Sequence, residues 1–241
     1  EFATATGMGY DAITLVGAIG GVQGRFQVDS SGRFTEVTVF ASAFEDNIAA
    51  LGAKAAGMFN VSLTKVTIIG RVANHDAQFS FDSSGKMSCV VMGNFYNADV
   101  AKMVLGSLMN NKKLSEKQVA INGAIGGVEG IFGISGGNFH GHVFKDFNTG
   151  GEAKGYLERA ALVLGPDSAF LIIGSVNGQE GRFFTQGGRY ICDLNQDFGS
   201  VSDMNSAVEA VWDKAGGDWG VLLKLGGEKL FIANTETLNR I

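Results

Sequence analysis

Apolar and polar residues alternate along much of this chain, and the alternation gives way at intervals to a helical period. Over residues 34–40, Val37 and Val39 flank Thr38, the period of two that places successive side chains on opposite faces of a strand. A shorter strand over 25–28 precedes it across the turn Asp29-Ser30-Ser31-Gly32. Ile48, Leu51, Ala55 and Phe59 then recur at helical spacing behind Ser42-Ala43-Phe44-Glu45, which fits the S/T-x-x-E capping box. Three strands follow, at 65–72, 78–81 and 88–95. Val100, Val104 and Leu108 mark a second amphipathic helix with Asn97 as its N-cap.

The same order then returns. Strands at 131–134 and 139–144 flank the turn Ser135-Gly136-Gly137-Asn138. A second capping box, Thr149-Gly150-Gly151-Glu152, stands ahead of Tyr156, Leu157, Ala160 and Leu164. Strands at 170–176, 182–185 and 190–198 lead to a helix on Met204, Val208 and Trp212, with Ser202 as its N-cap. The halves share phrases as well as order: residues 17–24 read GAIGGVQG and residues 123–130 read GAIGGVEG, an offset of 106. Ile68-Ile69-Gly70 matches Ile172-Ile173-Gly174. Residues 219–225, Gly226-Gly227 and 229–234 form a further hairpin pattern, either a partial third copy or a terminal hairpin that completes a sheet edge. The second option is preferred, because an uncovered edge invites pairing with other chains. The fold class that follows is α+β: two tandem units of a five-stranded antiparallel sheet with flanking helices, over 1–110 and 111–216, plus a C-terminal β-hairpin over 217–241.

This element order resembles the roadblock/dynein light-chain family. The phrases Gly21-Val22-Gln23-Gly24 and Gly127-Val128-Glu129-Gly130 carry the resemblance, and Asp218-Trp219-Gly220-Val221-Leu222-Leu223 is similar to the same first-strand signature. Profilin-like domains share much of the topology and are the competitor. The resemblance implies a non-enzymatic scaffold or a regulator of small GTPases. It implies modules that dimerise through the helix after the second strand, so that helices over 44–59 and 152–164 would meet in a pseudo-dimer.

Composition narrows the function classes. The net charge is -5 and the Lys and Arg residues are scattered, so nucleic-acid binding by phosphate neutralisation is not expected. No apolar run reaches the roughly 18–20 residues of a membrane span; the stretch 160–176 is broken by Pro166-Asp167-Ser168. Gly 36 with Pro 1 suits many tight turns between strands. A cytoplasmic setting is expected, although Glu1-Phe2 at the start, rather than Met, fits a processed product or an expression remnant.

The candidate chemistry is sparse. His140 and His142 are two apart, so in a strand both imidazoles share a face and could reach one metal ion. A zinc site needs further ligands, and the remaining His is His75, so solvent-facing histidines are the expectation. The Gly-rich octapeptides precede a strand rather than a helix and lack the G-x-G-x-x-G spacing, while Gly85-Lys86 is followed by Met87 instead of Ser or Thr. They read as hinges into the first strand of each copy. Asp29-Ser30-Ser31-Gly32 and Asp82-Ser83-Ser84-Gly85 read as turns, and Cys89 and Cys192 as buried small hydrophobes. The expectation is therefore a binding or scaffold protein with no cofactor, acting on a protein partner such as a small GTPase. A self-assembling structural protein, a homo-oligomer, is the alternative, as is a small-ligand binder with a cleft between its units.

Overall fold

Besides Gly216-Gly217, seven pairs of consecutive residues with positive φ punctuate the chain: Gly20-Gly21, Ala73-Asn74, Gly126-Gly127, Gly136-Gly137, Asn177-Gly178, Gly187-Gly188 and Gly226-Gly227. Two central residues with positive φ define the hairpin turn whose twist matches that of the strands it joins. Each of these seven separates two consecutive strands in the computed structural model of the chain, which describes residues 13–41 and 47–234. The strands and helices run β1 (Thr14–Ile19), β2 (Val22–Val28), β3 (Phe34–Phe40), α1 (Ile48–Phe59), β4 (Val66–Val72), β5 (His75–Phe81), β6 (Met87–Phe95) and α2 (Ala98–Lys112). They continue with β7 (Val119–Ile125), β8 (Val128–Ser135), β9 (Asn138–Phe144), α3 (Gly150–Leu164), β10 (Ala169–Val176), β11 (Gln179–Gln186), β12 (Arg189–Phe198), α4 (Val201–Trp212), β13 (Trp219–Leu225) and β14 (Glu228–Ala233).

This corrects the expected fold class. The strands form one 14-stranded mixed sheet in chain order, not two five-stranded antiparallel sheets with an appended hairpin. Strands joined by a turn pair antiparallel, as in Gly17↔Gly24 and Ile172↔Phe183. Strands joined through a helix pair parallel: Val37↔Val66, Leu171↔His142 and Cys192↔Val221. The cause is geometric. A helix carries the chain back to the end of the sheet where the last strand began, so the next strand runs the same way. The expected terminal hairpin, β13 and β14, joins the sheet through the parallel pairing of β13 with β12.

The period changes with the topology. Three strands and a helix make one repeat, and β1, β4, β7, β10 and β13 begin at Thr14, Val66, Val119, Ala169 and Trp219, one every 50–53 residues. The offset of 106 therefore spans two repeats. The GAIGGV(Q/E)G phrases are complete hairpins: the end of β1 or β7, a Gly-Gly turn, and the start of β2 or β8. β1 and β7 were not expected, because those phrases read as hinges into a first strand.

The chain divides into two compact units, residues 1–93 with 102–122, and residues 94–101 with 123–241. In the first, β2 alternates strictly, with Val22, Gly24, Phe26 and Val28 buried. α1 covers that face with Ile48, Gly52, Ala55 and Phe59. Phe59 meets Phe26 at 4.8 Å and Phe34 at 5.0 Å between ring centroids. A Cβ on Gly52 would lie 2.6 Å from the Phe81 ring, so helix and sheet touch there through a glycine. Burial of each such ring contributes roughly 1.5–3 kcal/mol. The capping box at Ser42–Glu45 lies outside the described residues; α1 is capped by Asn47, whose Oδ1 accepts from Ala50 N at 2.9 Å.

In the second unit, α3 and α4 cover the corresponding face. Leu157, Ala160 and Leu164 of α3 and Met204, Val208 and Val211 of α4 are buried there. Phe132 stacks on Phe170 at 5.7 Å, and Phe183 on Tyr190 at 6.4 Å. Thr149 caps α3 as expected, its Oγ1 accepting from Glu152 N at 3.2 Å. Glu152 reaches back to Asn148 N at 3.0 Å, one residue before the cap. Asn97 also caps as expected, accepting from Val100 N at 2.9 Å. The cap of α4 is Ser200 rather than Ser202: Ser200 Oγ accepts from Asp203 N at 3.2 Å and donates to Asp203 Oδ2 at 2.8 Å.

Candidate functional site

The face of the sheet opposite the helices carries mixed rows in the first unit. There the register places Arg25 beside Thr38 and Thr38 beside Thr67, with Val16 at the end of that row, while the next row pairs Phe40 with Ile69, 37% and 39% exposed. In the second unit, the register assembles a longer, mainly apolar row. Ile131 lies beside His142, His142 beside Leu171, Leu171 beside Phe184, and Phe184 beside Ile191. Ile191 neighbours Gly220, over which the Phe231 ring lies; a Cβ on Gly220 would stand 2.4 Å from it. The adjacent row holds Phe144, Ile173, Arg182, Asp193, Leu222 and Phe231 in register. Phe144 is 69% exposed, Phe231 46% and Leu222 38%. Leu222 and Phe231 adjoin, and Phe144 with Ile173 stands on the far side of the Arg182–Asp193 pair, so the row offers two apolar stretches flanking an ion pair, and contiguous exposed apolar surface marks interaction sites.

A depression of about 480 Å³ sits in this face. Leu171 and Phe184, both half-buried, belong to its lining together with His140, His142, Ala169, Arg182 and Asp193. Arg182 Nη2 donates to Asp193 Oδ2 at 2.7 Å. The His142 ring stands edge-on to Phe144 at 5.3 Å. His140 lies over Gly133, where a Cβ would come within 2.5 Å of its ring.

Both expected histidines are thus on one face of β9, His140 exposed and His142 half-buried. Among the described residues, no group of three or more His, Cys, Asp or Glu could hold a metal ion. The structure brings the pair together with four residues that sequence reasoning did not single out: Leu171, Phe184, Arg182 and Asp193. A signal for them exists. Phe170-Leu171-Ile172-Ile173 and Phe183-Phe184 are apolar at successive positions, and a strand apolar on both faces indicates that both make contacts.

The remaining candidates occupy structural positions. Asp29 Oδ1 accepts from Ser31 N at 2.9 Å and Arg33 N at 3.0 Å, and Asp82 Oδ1 accepts from Ser84 N at 2.9 Å and Lys86 N at 2.9 Å. These are two copies of one loop. Cys89 and Cys192 lie in the core, where burial pushes each thiol up to about 12 and keeps it protonated. No described helix is long and apolar enough to cross a membrane. Comparison with protein-family models, curated proteins and solved structures gives no match.

Proposed function

We propose that the chain is a non-enzymatic binding protein that receives a protein partner on the helix-free sheet face of its second unit. The observation that carries this reading is the row Ile131, His142, Leu171 and Phe184, half-buried on that face and closed at one end by the buried Ile191, with exposed Phe144, Leu222 and Phe231 in the next row. Repeated supersecondary units favour it too, because stacked repeats build extended binding surfaces. The small GTPase implied by the roadblock resemblance is one candidate partner, and that resemblance rests on the sequence phrases alone.

The test is capture of partners from the native source, with and without nucleotide, by the parent chain and by Leu171→Glu/Phe184→Glu. Two charges in the apolar row should release a partner that the parent retains. Equal capture by both proteins would sink the proposal. Self-assembly through the same face is the second reading, favoured by an apolar surface on a chain with only 18% charged residues. Light scattering against concentration separates the two, and a monodisperse monomer rules self-assembly out.

A further inference from the structure

We infer that the depression on the second unit is a binding site for a small planar aromatic anion, a carboxylate on one or two fused rings. The inference rests on the reading of this face as a binding surface and names what its depressed part takes.

Shape and chemistry both point to this class. The volume of about 480 Å³ falls within the roughly 300–1,000 Å³ of small-molecule sites. Leu171 and Phe184 are cross-strand neighbours on the exposed face. Adjacent strands lie about 4.8 Å apart, so a flat ring system spans both side chains and stacks on the Phe184 ring. Nitrogen donors surround this apolar patch, with His140 and His142 on one strand and Arg182 on another. Asp193 engages Arg182 through a single guanidinium nitrogen. A guanidinium has five N–H donors in a planar fork, so one carboxylate leaves donors for a second. Asp193 leaves guanidinium N–H groups of Arg182 open, and each imidazole adds a ring N–H donor, so the donors favour a ligand group rich in acceptor oxygens, as a carboxylate is. A divalent metal is a poorer occupant, because the described residues offer no third ligand.

The experiment is calorimetric titration of the full chain with 2-naphthoate, and with neutral 2-naphthalenemethanol as the control for ring burial alone. Saturable binding of one naphthoate per chain is expected, with the alcohol weaker by about tenfold or more. Arg182→Gln should weaken naphthoate by a similar factor and leave the alcohol unchanged. Leu171→Glu should abolish both. The near-ultraviolet signal of the stacked Trp212–Trp219 pair, 5.2 Å apart and 7° from parallel, checks that each variant is folded. Absence of saturable binding overturns the inference. So does equal binding of acid and alcohol, or an Arg182→Gln variant that binds naphthoate like the parent. If naphthoate fails while Leu171→Glu/Phe184→Glu still releases a protein partner, the inference falls and the binding surface stands. If neither ligand nor partner responds, both fall.

Discussion

Alanine at Gly24 should destabilise the protein sharply, whereas alanine at Gly57 should do the opposite. Gly24 pairs with Val39 across β2 and β3, and a Cβ there would lie 2.1 Å from Thr38 O, 3.1 Å from Thr38 C and 3.3 Å from Val39 Cα. All three atoms are backbone, so no side chain can swing aside and the strands must separate. Overpacking of this kind costs about 1–3 kcal/mol, and a ladder hydrogen bond lost beside it about 1 kcal/mol more. Restricting the unfolded chain returns about 0.4–1 kcal/mol. The balance is a loss of about 1–3.6 kcal/mol. At roughly 2–4 °C per kcal/mol for a chain of this length, the midpoint should fall by about 2–14 °C. Gly181 occupies the equivalent place two strands before β13, with its nearest obstacle, Asp193 O, at 2.8 Å. Its alanine variant should fall by less. Gly57 is exposed on α1 and has nothing within 4 Å of an added Cβ, so Gly57→Ala should gain about 0.5–1 kcal/mol. Thermal melts by far-ultraviolet circular dichroism read all three. A Gly24→Ala midpoint equal to that of the parent would refute the assigned approach of β2 and β3.

Further expectations concern buried and titrating groups. Tyr190 OH is buried without a hydrogen-bond partner beyond the weak thiol of Cys192 beside it, so Tyr190→Phe should melt no lower than the parent and up to about 1 kcal/mol more stably. A loss beyond that would reveal a partner for the hydroxyl. Asp29 is held down to about 2, chiefly by the Ser31 hydroxyl and then by the Arg33 backbone N–H, and Asp82 is lowered by the corresponding Ser84 and Lys86 groups. A depressed folded value means stability that is present above the unfolded value near 3.8 and lost as pH falls toward about 2. Urea melts across that window should show a shallower acid loss for Asp29→Asn than for the parent; an unchanged slope would exclude the loop as a contributor. Ellman's reagent at pH 8 should find no fast-reacting thiol in the folded chain and two after denaturation, since burial pushes Cys89 and Cys192 up to about 12.

Much of the local structure was legible in the sequence, and the sheet was not. The strand at 34–40 coincides with β3, and both Asn97 and Thr149 cap the helices assigned to them. Alternation and capping are local chemistry, so a single segment reveals them. The sequence shows the repeat only at twice its length, because the hairpins of neighbouring repeats differ in composition. Gly20-Gly21, Ala73-Asn74, Gly126-Gly127 and Asn177-Gly178 all adopt positive φ at both positions, yet only the first and third share a sequence. Backbone conformation, not residue identity, is what the turn requires. The parallel joints follow from crossover helices such as α1, and alternation within a strand carries no information on the direction in which the next strand runs. The binding face lay furthest from view. His140 and His142 share a face by spacing alone, but their neighbourhood with Leu171, Phe184, Arg182 and Asp193 depends on the register of four strands.

That register can be read directly from methyl spectra of protein labelled at Ile and Leu during titration with 2-naphthoate. Leu171 and Ile191 lie in register on the helix-free face, while Ile172 is buried on the other side, the side that α3 covers with its own buried Leu157. The account predicts that the Leu171 and Ile191 methyl signals move in saturable fashion while those of Ile172 and Leu157 stay in place. Shifts confined to Ile172 and Leu157, or no shift at any of the four, would contradict it.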